Sequence, residues 1–82
     1  MITLTKHATG PVTLRAPAGG MVRFHAPPAL CGELEVFEAG DVIAGVGRVD
    51  VCAPSRGFVV RRLAADGSAV ANAMPLVVFR TA

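Results

Sequence analysis

His7, His25, Cys31 and Cys52 are the side chains of this chain best suited to binding a metal or attacking a substrate. Cys31 lies six residues beyond His25, but no His/Cys/carboxylate cluster appears at a spacing that would complete a tetrahedral metal site. No metal is therefore expected. His25 reads as a loop histidine, and His25 and Cys31 remain candidates for contact with a partner. Glu33, Glu35 and Glu38 are the residues that could trade protons. Nothing sequestered from water surrounds them to raise a carboxyl pKa, and the alternate spacing of Glu33 and Glu35 marks the solvent face of a strand. Cys52 alternates with Val51 and Ala53 and reads as a reduced core or subsurface thiol, with a Cys31–Cys52 bridge as the alternative. The glycines form no phosphate-binding loop leading into a helix. No catalytic residue is assigned.

Composition sets the frame for these residues. The chain has 82 residues, enough for one domain with a modest core and too few for a large enzyme with a deep cleft. With 52% hydrophobic and 17% charged residues it is too apolar for a disordered chain. Gly, Pro, Arg or Asp interrupts every apolar run before it reaches membrane-spanning length. The start "MITLTKHATG" lacks the apolar stretch of a secretory signal, so a soluble, cytoplasmic protein without a membrane partner is expected. The net charge is +2, and the eight basic residues are spread from Lys6 to Arg80 with no Tyr or Trp among them. That spread gives a solvated sheet face and no nucleic-acid surface.

The elements that must position the side chains are strands. No stretch keeps apolar residues at helical spacing for three turns, and nine glycines and six prolines act as punctuation. Short segments rich in Val, Ile, Leu and Phe recur: "VTLRA", "MVRF", "LEVF", "DVIAGV", "VDVCA", "FVVRRL", "AVA" and "PLVVF". The chain also repeats itself. "LRAPAGGMVRF" at 14–24 lies over "VCAPSRGFVVR" at 51–61 without a gap, and "FEAGDVIA" at 37–44 corresponds to "VANAMPLV" at 70–77. Neither half could bury its apolar face alone, so the two must interlock around one core with a pseudo-twofold relation. Gly20, Gly40, Gly57 and Gly67 fall where the chain is expected to reverse, and "Ala65-Asp66-Gly67-Ser68" is a tight-turn signal.

In order and spacing, "LRAPAGGMVRF", "EAGDVIAGV" and "VCAPSRGFVVRRLAADGSAVANAMPLVVF" resemble the biotinyl/lipoyl domain, and within it the biotin carboxyl carrier protein of acyl-CoA carboxylases. The resemblance covers about residues 13–80. It implies an all-β barrel-sandwich hybrid: a flattened barrel of two antiparallel sheets to which each half of a single domain, 1–82, contributes. It also implies an N-terminal extension or extra strand at 1–12 and a thumb-like loop at 25–36.

The same resemblance places a cofactor arm at the hairpin "DVIAGVGRVDVCA", whose tip lysine receives biotin or lipoate in the family. Here the tip is Gly47-Arg48. Gly at the first central position is the signature of a type II′ turn, and the arm is shortened by about one residue pair on each side. Amide formation with an acyl adenylate needs a neutral amine. A guanidinium, with a pKa above roughly 12, stays charged and is a poor nucleophile. The only lysine, Lys6, lies before the repeat and lacks the family's neighbours. Neither biotin nor lipoate is expected, and Arg48 either keeps the tip soluble or docks on a carboxylate of a partner.

Two functions of different classes follow. One is a non-biotinylated, carrier-like binding, scaffold or regulatory subunit of an acyl-CoA carboxylase-like or other biosynthetic assembly, with carboxylase-type subunits or a second copy as partner. The other is a small enzyme or small-molecule binder that has reused the fold, with a pocket between the sheets or at an oligomer interface near His25 and Cys31.

Overall fold

The computed structural model describes residues 10–27 and 29–82, the side chains of residues 29 and 31 lying outside that description. Lys6, His7 and the greater part of the segment 1–12 precede the described residues. Among the described residues nine strands form two antiparallel sheets. One sheet has the order β1 (Pro11–Arg15), β9 (Pro75–Thr81), β7 (Gly57–Arg62), β4 (Leu34–Phe37), β3 (Ala29–Cys31). The other runs β6 (Val49–Cys52), β5 (Val42–Val46), β2 (Gly20–Phe24), β8 (Ala69–Val70). This is the expected flattened barrel-sandwich. Among the described residues no helix is long and apolar enough to cross a membrane.

The repeat in the sequence is a repeat in space. Exchanging β1 with β6, β9 with β5, β7 with β2 and β4 with β8 turns the order of one sheet into that of the other. Backbone bonds follow the same exchange. The Ala16 N–H donates to the Met74 carbonyl and its carbonyl accepts from Ala73, both at 2.8 Å. Ala53 does the same with Asp41 at 2.8 Å and Gly40 at 2.9 Å. Even the bulges repeat: Ile43 is the extra residue of β5 opposite β6, and Leu76 the extra residue of β9 opposite β1. Each bulge lets two consecutive side chains, Ile43-Ala44 and Leu76-Val77, enter the core from one strand.

The core fills the space between the inner faces. Phe37, Phe79, Ile43, Leu76, Val22, Val46 and Val77 are its largest fully buried side chains, and among the described residues no polar one is buried. Strand alternation supplies them: Val22 points inward between outward Met21 and Arg23, and Val51 inward between Asp50 and Cys52. The segment 25–36, expected as a thumb-like loop, carries β3, which turns at Gly32-Glu33 and pairs with β4 as an edge hairpin. The Ala65–Ser68 turn is present, with the Ser68 N–H on the Ala65 carbonyl at 3.1 Å. It links β7 to β8 in the opposite sheet, and its Asp66 Oδ1 accepts from the Phe24 N–H at 2.8 Å.

Candidate functional site: a closed hairpin tip

β5 and β6 form a ladder whose last pair is Val46 and Val49, leaving Gly47 and Arg48 as a two-residue turn. Gly47 has φ 59° while Arg48 is not in the positive-φ region, the sign pattern of a type II′ turn. The flanking strands are anchored from below by Val46, Ala44 and Val51 in the core.

The tip is tied to the body of the protein. The Gly47 N–H donates to the Met21 carbonyl of β2 at 3.1 Å. Beside it, a Cβ on Gly20 would lie 3.1 Å from the Gly47 nitrogen and 3.3 Å from its Cα, so the absence of a side chain at Gly20 is what lets the turn settle this close. The sequence places Gly20 at a chain reversal, and the structure adds this contact to that role. Arg48 is exposed at the tip and forms no ion pair among the described residues, where the pairs present are Arg56–Glu38 at 3.4 Å and Arg62–Glu35 at 3.1 Å. Next to the turn, Val49 of β6 is 42% exposed, and Met21, whose carbonyl accepts from the Gly47 N–H, is 54% exposed. The tip therefore presents an exposed guanidinium and no amine that could be acylated.

The other expected site residues lie elsewhere. His25 is exposed, and its N–H donates to the Ile43 carbonyl at 2.9 Å at the foot of β5. Three strand residues, 44–46, separate that point from Gly47, about 13 Å at the usual rise per residue. Cys31 belongs to β3 in the opposite sheet, so the three partner-binding candidates do not converge. Cys52 corrects the expectation of a core or subsurface thiol. Val51 and Ala53 take the inward positions, so Cys52 between them is exposed on the outermost strand, and its thiol is free. Glu35 also differs from its expected place on the solvent face. It stands opposite buried Val59 and pairs with Arg62, whose guanidinium lies 4.6 Å from the centre of the Phe24 ring. Among the described residues no three His, Cys, Asp or Glu side chains gather as a metal site, and no cavity opens between the sheets.

No family model matches the chain, and none of the curated proteins matches it. Among solved structures it superposes on part of a single-chain, multi-domain long-chain acyl-CoA carboxylase with a TM-score of 0.70 and 24% identity. The match covers 98% of this chain and 8% of that one. At this identity the likeness establishes the fold, which a multi-domain carboxylase also contains.

Proposed function

We propose that this protein is a non-biotinylated, carrier-like module that serves as a binding, scaffold or regulatory part of an acyl-CoA carboxylase-like or other biosynthetic assembly. The observation that carries the reading is the Gly47-Arg48 turn. It closes the hairpin that the resemblance matches to a carrier's lysine-bearing arm, and it puts a non-acylatable guanidinium at the tip. The likeness to part of a multi-domain carboxylase supports the choice of assembly. A second copy is an alternative partner.

Coexpression with a biotin ligase followed by intact-mass measurement tests the first element: the unmodified mass is expected, and a biotinyl adduct on any residue would overturn it. Arg48→Lys separates chemistry from shape. Because the Gly47 N–H is held by the Met21 carbonyl, we expect this variant to remain largely unbiotinylated even though it carries the amine. Efficient modification would show that the missing amine alone keeps the wild type bare. For the second element, affinity purification from the native host is expected to bring down carboxylase or acyl-transfer subunits, and recovery of none would defeat the assembly reading.

A further inference from the structure

The pseudo-twofold relation supplies an internal control for the outer surfaces, because the fold makes the same demands on both sheets. In the four-stranded sheet the outward positions hold Met21 on β2, Gly45 on β5 and Ala69 on β8. Their counterparts in the five-stranded sheet are Phe58 on β7, Val78 on β9 and Val36 on β4. A small or flexible residue therefore satisfies the fold at each of these places. The five-stranded sheet nonetheless carries a larger or stiffer apolar one, and all three are half-buried. It also has a bulge that its twin lacks. Val59 pairs with Phe79 and Arg61 with Val78, so Val60 is an added residue, turned to solvent and 49% exposed. β2 and β5 run through the equivalent region without a shift.

The charge on this face has one sign. Arg61, opposite Val78, and Arg80, opposite Phe58, are exposed on it and form no ion pair among the described residues. The chain's carboxylates are engaged or placed elsewhere. Glu35 turns inward to Arg62 and Glu38 pairs with Arg56. Asp41 and Asp66 accept backbone N–H groups, and Asp50 belongs to the other sheet. Only Glu33, in the β3–β4 turn, borders the face. On the four-stranded sheet, by contrast, Arg23 shares the surface with Asp50.

We propose that the outer face of the five-stranded sheet docks a protein whose contact strip is apolar and bordered by carboxylates. Phe58, Val60, Val36 and Val78 supply the apolar centre, and Arg61 and Arg80 the charges at its border. Those two arginines also argue against a second copy, since two such faces laid together would bring four guanidinium groups into one desolvated layer. This surface is distinct from the hairpin tip, and it would stand if the tip proved to have another role.

The test is selection of a random-sequence peptide library displayed on phage against the purified protein. Four further proteins are assayed alongside: Phe58→Ser, Arg61→Glu with Arg80→Glu, and, as controls on the other sheet, Met21→Ser and Arg23→Glu. A thermal melt by circular dichroism verifies folding of each. Enriched peptides should combine Leu, Ile or Phe with Asp or Glu. Their binding should fall about tenfold or more on Phe58→Ser and on the charge-reversed variant, and should be unchanged on both controls. If Phe58→Ser fails to fold, the charge-reversed variant carries the test, and it should select lysine- and arginine-bearing peptides instead. No enrichment, or binding indifferent to these substitutions, would overturn the proposal. Sedimentation showing a dimer that Phe58→Ser dissolves would overturn it in favour of a second copy. Binding to phosphatidylserine vesicles that depends on the same residues would overturn it in favour of a membrane.

Discussion

Gly20 and Gly57 open equivalent strands in the two halves of the chain, yet the packing around them differs. A Cβ on Gly57 would run into the Arg80 carbonyl oxygen and come within 2.8 Å of two carbons of the Phe79 ring. Both neighbours are fixed, one by the β7–β9 ladder and the other by full burial in the core. A Cβ on Gly20 meets the backbone of Gly47 at 3.1 and 3.3 Å, at a turn that can retreat into solvent. The half of the chain that ends in a buried phenylalanine is thus locked, and the half that ends in the hairpin tip can yield. Gly57→Ala should therefore be the most damaging of the substitutions considered, lowering stability by about 3 kcal/mol or more in urea unfolding and leaving little folded protein. A loss below about 1 kcal/mol would mean that Phe79 can rotate away.

Gly20→Ala is the matched test in the yielding half. It should cost about 1–2 kcal/mol, most of it from displacing Gly47 and weakening the bond to the Met21 carbonyl. Amide exchange supplies the sharper readout: the Gly47 N–H should lose protection, while the amides of β9 keep theirs. Equal loss in both sheets would mean that the tip is as rigidly held as the core.

A second pair of equivalent positions differs in backbone demand. Gly40 and Ala73 occupy the same place in the repeat, the third residue of a tight turn, with φ of 89° and 69°. The Asp41 N–H closes one turn on the Glu38 carbonyl at 3.0 Å, and the Met74 N–H closes the other on Ala71 at 3.1 Å. Only Ala73 pays the steric cost that a Cβ brings in the left-handed region. Ala73→Gly should raise stability by about 0.5–1 kcal/mol, the relief of strain exceeding the entropy gained by the unfolded chain. Gly40→Ala should lose a comparable amount. A neutral Ala73→Gly would show that contacts of the Ala73 methyl offset its strain.

The halves and eight of the nine strands were legible in the sequence because both signals are local. Alternation of side chains marks a strand, and the recurrence of Ala-Pro before a glycine marks a repeat. The reason for Gly57 was not legible. It was read as a chain reversal, but its cause is the Phe79 ring, more than twenty residues away in sequence. β3 was missed for a related reason: "ALC" is three residues behind two prolines, and it becomes a strand only because β4 offers it an edge. For the candidate site, the type II′ turn at Gly47-Arg48 could be read from two residues, whereas the tether to Met21 depends on how the sheet folds back. The outward turn of Cys52 follows from the inward turn of Val51 and Ala53, a choice of face that alternation alone leaves open.

The smallest effect concerns a place where the two halves touch through both a charge pair and a stacked cation. Arg62 and Phe24 are equivalent positions on β7 and β2, and they meet at the rim of the sandwich with the guanidinium 4.6 Å from the ring centre. Glu35 accepts from Arg62 Nη2 at 3.1 Å. All three stand near solvent, so Glu35→Gln should cost only about 0.5 kcal/mol and the cost should shrink in high salt. Arg62→Ala should cost somewhat more, about 1 kcal/mol, because it also uncovers the Phe24 ring and removes the cation over its face. A double-mutant cycle separates the terms: a coupling between positions 35 and 62 that vanishes in 1 M salt, while that between 62 and 24 persists, is the outcome the geometry requires. If both couplings vanish together, the stacking is incidental and the rim is held by the β4–β7 ladder alone.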